Sequence, residues 1–119
     1  MVQATKGPLP MTTPLSPADC IAMAAAGEIT LLDVREVGEV QASGQAAGAV
    51  HIPLGLLPLK GDPKAPDFDA RLSGKPVAVY CAAGARAGRA AQFLQAQGIE
   101  AHNIGGFGDW VTAGGPVQR

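Results

Sequence analysis

Aromatic side chains make up only 4% of this 119-residue chain, and cysteine occurs twice, as Cys20 and Cys81. Each scarcity excludes something. Two cysteines so far apart match no zinc-ligand spacing and read as unrelated thiols in a reducing compartment. Basic runs are missing and the formal net charge is −1, which removes the electrostatic footing for nucleic acid or an anionic membrane. No apolar stretch approaches the ~20 residues of a membrane span. Residues 1–11 lack the continuous apolar segment of a signal peptide, so the cytoplasm is the expected location. His51 and His102 stand alone without ligand spacing and read as structural residues.

What is present is apolar and small. Hydrophobic residues reach 47%, enough for a single core without metals or disulfide staples, and much of that share is alanine. Such a core brings helices and strands close together. The length fits one domain, expected over residues 15–115 behind a flexible Pro/Thr/Gly-rich arm at residues 1–14.

Ser16-Pro17-Ala18-Asp19 reads as a helix start, with Ser16 as N-cap and Gly27 as the stop. Ile29–Val34 is an apolar run of strand length, followed by a brief helix at about 36–42 and a strand over Gly48–Ile52 that Pro53 ends. Residues 54–75 read as a long surface excursion with one helical turn around Phe68–Leu72. Val77–Tyr80 is the clearest strand. Ala87, Ala90, Ala91 and Leu94 then recur at helical spacing, and Gly98 closes that helix. Ile99–Ile104 predicts a last strand, followed by Gly105-Gly106 and a short helix bearing Trp110 and Val111. Alternating strands and helices argue for a parallel sheet covered on both faces, with ligands beyond the carboxyl ends of the strands.

Cys81 lies at such an end, where a strand gives way to Ala82-Ala83-Gly84-Ala85-Arg86 and a helix. Unpaired amides and a helix N-terminus stabilise negative charge, lower a thiol's pKa and make it a nucleophile. Gly84 lets the loop turn with its amides inward, and Arg86 adds a fork of donors. A cup that circles phosphate needs five residues between Cys and Arg. Here there are four, and Ala87 stands where that Arg would be. Sulfane sulfur fits the smaller loop. Thiolate attack on the outer sulfur of a donor leaves a persulfide, which a second nucleophile then discharges without metal or cofactor.

Four segments now combine. They are Leu31–Glu36 (LLDVRE), Gly48–Pro53 (GAVHIP), Val79–Arg86 (VYCAAGAR) and Gly105–Trp110 (GGFGDW). In this order they resemble a single-domain rhodanese, the thiosulfate sulfurtransferase-like family. The resemblance implies a three-layer α/β/α fold around a parallel five-stranded sheet, with Cys81 as catalytic persulfide carrier. It implies donor binding by the loop Ala82, Ala83, Gly84, Ala85 and Arg86. The implied partners are a small anionic sulfur donor and a thiol, cyanide or protein-cysteine acceptor, with no nucleic acid or membrane, and the chain acting as a monomer. Related arsenate reductases and phosphatases carry the longer loop. Gly44-Gln45-Ala46 departs from the family's Gly-His-Ile, and Ala87 from its usual Ser.

Asp33 and Arg35, at a neighbouring strand end, are expected to pair and brace the Cys81 loop rather than perform chemistry. Arg89 reads as a surface residue, Glu36 as a charge in the first turn of a helix, Cys20 as core, Phe107 and Trp110 as core or rim. Gly105-Gly106 is expected to let backbone approach the active loop closely. Two alternatives stand beside the sulfurtransferase: a rhodanese-like docking module with little turnover, and an arsenate reductase or phosphatase, which the loop length disfavours.

Overall fold

The computed structural model describes residues 15–119. The expected arm at 1–14 lies outside them. Helix α1 (Pro17–Ala25) starts as the sequence predicts: Ser16 Oγ accepts from the Asp19 N–H at 3.1 Å, and Asp19 Oδ2 accepts from the Ser16 N–H at 3.2 Å. This reciprocal cap satisfies two amides that a helix start leaves unpaired.

Strands β1 (Thr30–Asp33), β3 (Val50–His51), β4 (Val77–Cys81) and β5 (Ala101–Gly106) form one parallel sheet in the order β3-β1-β4-β5. Successive residues of a strand point to opposite faces, so β1 and β4 feed two cores. Leu32, Val79 and Cys81 pack with Ala87, Ala90 and Leu94 of helix α4 (Ala85–Ala96) on one face. Leu31, Ala78 and Tyr80 pack with Cys20 of α1 and Trp110 of the C-terminal helix α5 (Phe107–Thr112) on the other. This is the expected α/β/α layering. Helix α4 approaches the sheet closely because three of its four buried residues are alanines.

The sheet differs from expectation in its count. Among the described residues it has four strands rather than five. The remaining two strands, β2 (Gln45–Ala46) and β6 (Val117–Gln118), pair antiparallel with each other in a separate two-stranded sheet, and the Ala46 N–H donates to the Tyr80 hydroxyl of β4 at 2.9 Å. Strand β6 lies past residue 115, and both of its residues are exposed. Trp110 Nε1 donates to the Pro116 carbonyl at 2.8 Å, and Gly115 lies against the indole where a Cβ would collide with it.

The excursion at 54–75 carries more structure than the sequence suggests. A 3₁₀ turn (Leu54–Leu56) runs into helix α3 (Leu57–Lys60), and a second 3₁₀ turn (Ala70–Leu72) is capped by Asp69. Leu57 and Leu72, both essentially unexposed, anchor it to the α4 side of the core. Among the described residues no helix is long and apolar enough to cross a membrane.

Candidate active site

Four strand ends converge on one side of the molecule, and β4 ends there on Cys81. Gly84 has φ +108°, a left-handed conformation that turns the chain sharply into α4. As N-cap residue it offers no side chain to the helix's first amides. Cys81 Sγ takes that place: it accepts from the Gly84 N–H at 2.9 Å and the Ala87 N–H at 3.3 Å. Burial pushes the Cys81 thiol up, but the N–H groups of Ala87, Gly84, Ala83 and Arg86 together outweigh it and bring the thiol below its ordinary value of 9.0. Cys20 provides the contrast. It has no such amides, and burial with the nearby Asp19 charge pushes it up to about 11.

Cys81 is only 1% exposed, so the sulfur forms the floor of the cup. The exposed Ala82, Ala83 and Ala85 form its rim. A reacting partner has to bring its own atom down to the sulfur.

Arg86 is placed differently from the sequence expectation of a side chain open to an incoming anion. Its Nη1 and Nη2 donate to Oε1 and Oε2 of Glu39 at 2.6 and 2.8 Å. Glu39 sits on helix α2 (Val37–Ser43), and the Glu36 N–H also holds its Oε1 at 2.9 Å. Arg86 and the Glu36 amide pull the Glu39 carboxyl down to about 2. Sequence reasoning missed Glu39, since nothing local links it to a residue so distant in the chain.

Asp33 and Arg35 pair as expected, but they brace α2 rather than the loop. The Arg35 guanidinium meets Asp33 Oδ2 at 2.7 Å, and donates to Ser43 Oγ at 2.8 Å and the Gly44 carbonyl at 2.7 Å. Its flat face lies 4.4 Å from the Phe107 ring centroid. Both side chains are buried, and burial, which lowers the Arg35 pKa, is outweighed by Asp33. Arg35 thus fixes the end of the helix that presents Glu39 to Arg86. His51 Nε2 bonds the Arg35 carbonyl at 2.7 Å and His102 Nε2 bonds Glu100 at 2.8 Å, so both histidines have structural partners.

The loop rests on β5. Asn103 Nδ2 donates to the Gly84 carbonyl at 3.0 Å, and its Oδ1 accepts from the Gly105 N–H at 2.9 Å. Asn103 was also missed, because a lone exposed Asn in a strand reads as surface. Gly106 lies where the sequence expects close approach. A Cβ there would collide with the Ala82 carbonyl oxygen and stand 2.9 Å from the Ala82 carbonyl carbon and 3.2 Å from Ala83 Cα. Backbone cannot swing aside as a side chain can. Gly106→Ala is therefore expected to cost about 1–3 kcal/mol of stability. It should also move the Cys81 thiol back toward its ordinary value, read by denaturant unfolding and by the pH dependence of alkylation.

Among the described residues no group of three or more His, Cys, Asp or Glu is placed to hold a metal ion. A thiol that caps a helix through main-chain amides thus stands at the carboxyl end of a parallel sheet. The comparisons give the family. The Rhodanese-like domain family matches residues 16–113, and the chain belongs to that family.

The uncharacterized protein YqhL of Bacillus subtilis (strain 168) is 39% identical over 90 residues, covering 74% of this chain and 63% of that protein. The chain thus spans somewhat less than two thirds of that relative's length. A Rhodopseudomonas palustris protein of unknown function, described as a possible tyrosine phosphatase, is 34% identical and superimposes with a TM-score of 0.78 over 88% of this chain and 83% of its own. A rhodanese-related protein from Thermoplasma volcanium is 30% identical with a TM-score of 0.70, over 88% of this chain and 96% of its own.

Proposed function

We propose that this chain is a sulfurtransferase that moves sulfane sulfur through a persulfide on Cys81. The observation that carries the reading is the pair of N–H groups, from Gly84 and Ala87, directed at Cys81 Sγ. They stabilise a thiolate. After transfer they, with the remaining loop amides, stabilise the negative outer sulfur. With thiosulfate as donor, the Cys81 thiolate forms an S–S bond to the outer sulfur, the donor's S–S bond breaks, and its electron pair leaves on sulfite. An acceptor (cyanide, a small thiol or a protein cysteine) then attacks the outer sulfur and the thiolate returns. Cys81 is the nucleophile in this scheme. The amides of Ala82, Ala83, Gly84, Ala85 and Arg86 shape the donor site, while Asp33 and Arg35 position α2 behind it. We place the reaction in a reducing, cytoplasmic setting, with the chain acting as a monomer.

Two other readings have an observation behind them. The possible tyrosine phosphatase among the neighbours raises phosphate chemistry, which the short loop and the engagement of Arg86 with Glu39 oppose. The 1% exposure of Cys81 raises a docking role with little turnover. One experiment separates them. Intact mass after incubation with thiosulfate or an organic thiosulfonate is expected to rise by one sulfur atom, and cyanide is expected to remove it. Folded protein that gains no sulfur from any donor overturns the proposal in favour of docking. Cys81-dependent hydrolysis of an aryl phosphate overturns it in favour of a phosphatase.

A further inference from the structure

The sulfur-transfer reading leaves the donor's charge open, and the acidic partner of Arg86 bears on it. A dianion such as thiosulfate needs more than amides, because it approaches a sulfur that is already negative. The loop carries one cation, Arg86, and the exposed rim residues Ala82, Ala83 and Ala85 carry none. Both oxygens of Glu39 hold the Arg86 guanidinium, at 2.6 and 2.8 Å.

This pair is built into the fold. Glu39 completes the N-terminal cap of its own helix through the Glu36 N–H, and the far end of that helix is tied down by Arg35 through Ser43 and Gly44. Arg86 feels the charges of Glu39, Cys81 and Glu36, all negative. Charged Glu39 therefore cancels the loop's cation wherever the enzyme works. With Arg86 offset by Glu39, each negative charge on a donor meets the thiolate with main-chain dipoles as the chief favourable contribution, and a second charge doubles that repulsion.

We infer that Glu39 is a specificity-determining residue: by occupying both amino groups of Arg86, it selects singly charged sulfane donors, such as an organic persulfide or thiosulfonate, over the thiosulfate dianion. With a thiosulfonate, R–SO₂–S⁻, the Cys81 thiolate bonds to the terminal sulfur, the S–S bond breaks and R–SO₂⁻ leaves with the electron pair. Charge balances at −2 on each side, against −3 for thiosulfate. The apolar rim of Ala82, Ala83 and Ala85 suits an organic R group better than it suits a sulfonate oxygen.

The test compares kcat/KM for benzenethiosulfonate and for thiosulfate on the full chain, with cyanide as common acceptor. Glu39→Gln keeps an oxygen to accept from Arg86 and removes the charge. It is expected to shift the ratio of the two values toward thiosulfate by about tenfold. A second measurement needs no variant. Added inert salt screens repulsion, so thiosulfate turnover by the unaltered protein should gain on benzenethiosulfonate turnover as ionic strength rises. A folded Glu39→Gln protein with an unchanged or opposite ratio overturns the inference, and so does thiosulfate turnover that loses ground with salt. Failure of the underlying reading looks different: neither donor then leaves a sulfur on the protein.

Discussion

Cys81→Ser is expected to abolish sulfur loading and to lower turnover by ~10³-fold or more, while the protein stays folded. Serine keeps an acceptor for the Gly84 and Ala87 N–H groups, so the start of α4 remains capped. What it loses is acidity. A hydroxyl stays protonated at any working pH, whereas those amides hold the thiol below 9.0 against the opposing effect of burial. The same shift has a stability signature. A folded-state pKa below the unfolded one adds stability that is fully present above the unfolded value and is lost as pH falls through the folded one. The stability of the unaltered protein relative to Cys81→Ser should therefore grow as pH rises toward 9.0 and level off beyond it. Alkylation by a small reagent should titrate with a midpoint below 9.0 in the unaltered protein. A midpoint at or above that value would remove the basis for an activated thiol.

Arg35→Leu is expected to give the largest loss of stability, about 3–5 kcal/mol, because it leaves a buried carboxylate uncompensated. Asp33 is 0% exposed, and Arg35 gives it Nε–H and Nη2–H bonds of 2.7–3.1 Å. The guanidinium also serves the Gly44 carbonyl, which closes α2, and stacks beneath Phe107. Leucine supplies apolar volume and none of these donors. Replacing both partners, Asp33→Leu with Arg35→Leu, should recover part of the loss, since no bare charge is then left inside. Denaturant unfolding of the two variants checks this. A single variant within about 1 kcal/mol of the unaltered protein would mean that water or rearrangement reaches Asp33.

The parts of the molecule that were legible in the sequence are local ones. Ser16, Pro17 and Asp19 announce a helix start because all the bonds of that cap lie within three residues. The Cys81–Arg86 loop is legible for the same reason, since its geometry follows from Gly84 and a strand-to-helix junction. Gly106 was expected to permit a close approach, and the carbonyl of Ala82 occupies the space. What escaped depends on distant pairing. Glu39 and Asn103 meet the loop from α2 and β5 through one side chain each, which leaves no periodicity behind. β2 and β6 hold two residues each, too few for an alternating pattern, so their antiparallel pairing and the four-strand sheet were invisible. In 54–75 the prolines hid two buried leucines, Leu57 and Leu72, that tie the segment to the core.

A helix whose opening turn is closed by a sulfur atom rather than by a serine or aspartate oxygen also reports on that atom's occupancy. Proton, bare charge and extra chalcogen each place a different electron density against the same amides of Gly84 and Ala87. The nuclear resonance frequencies of those amides should accordingly register each state of the proposed sulfur transfer from inside the scaffold, with no added label.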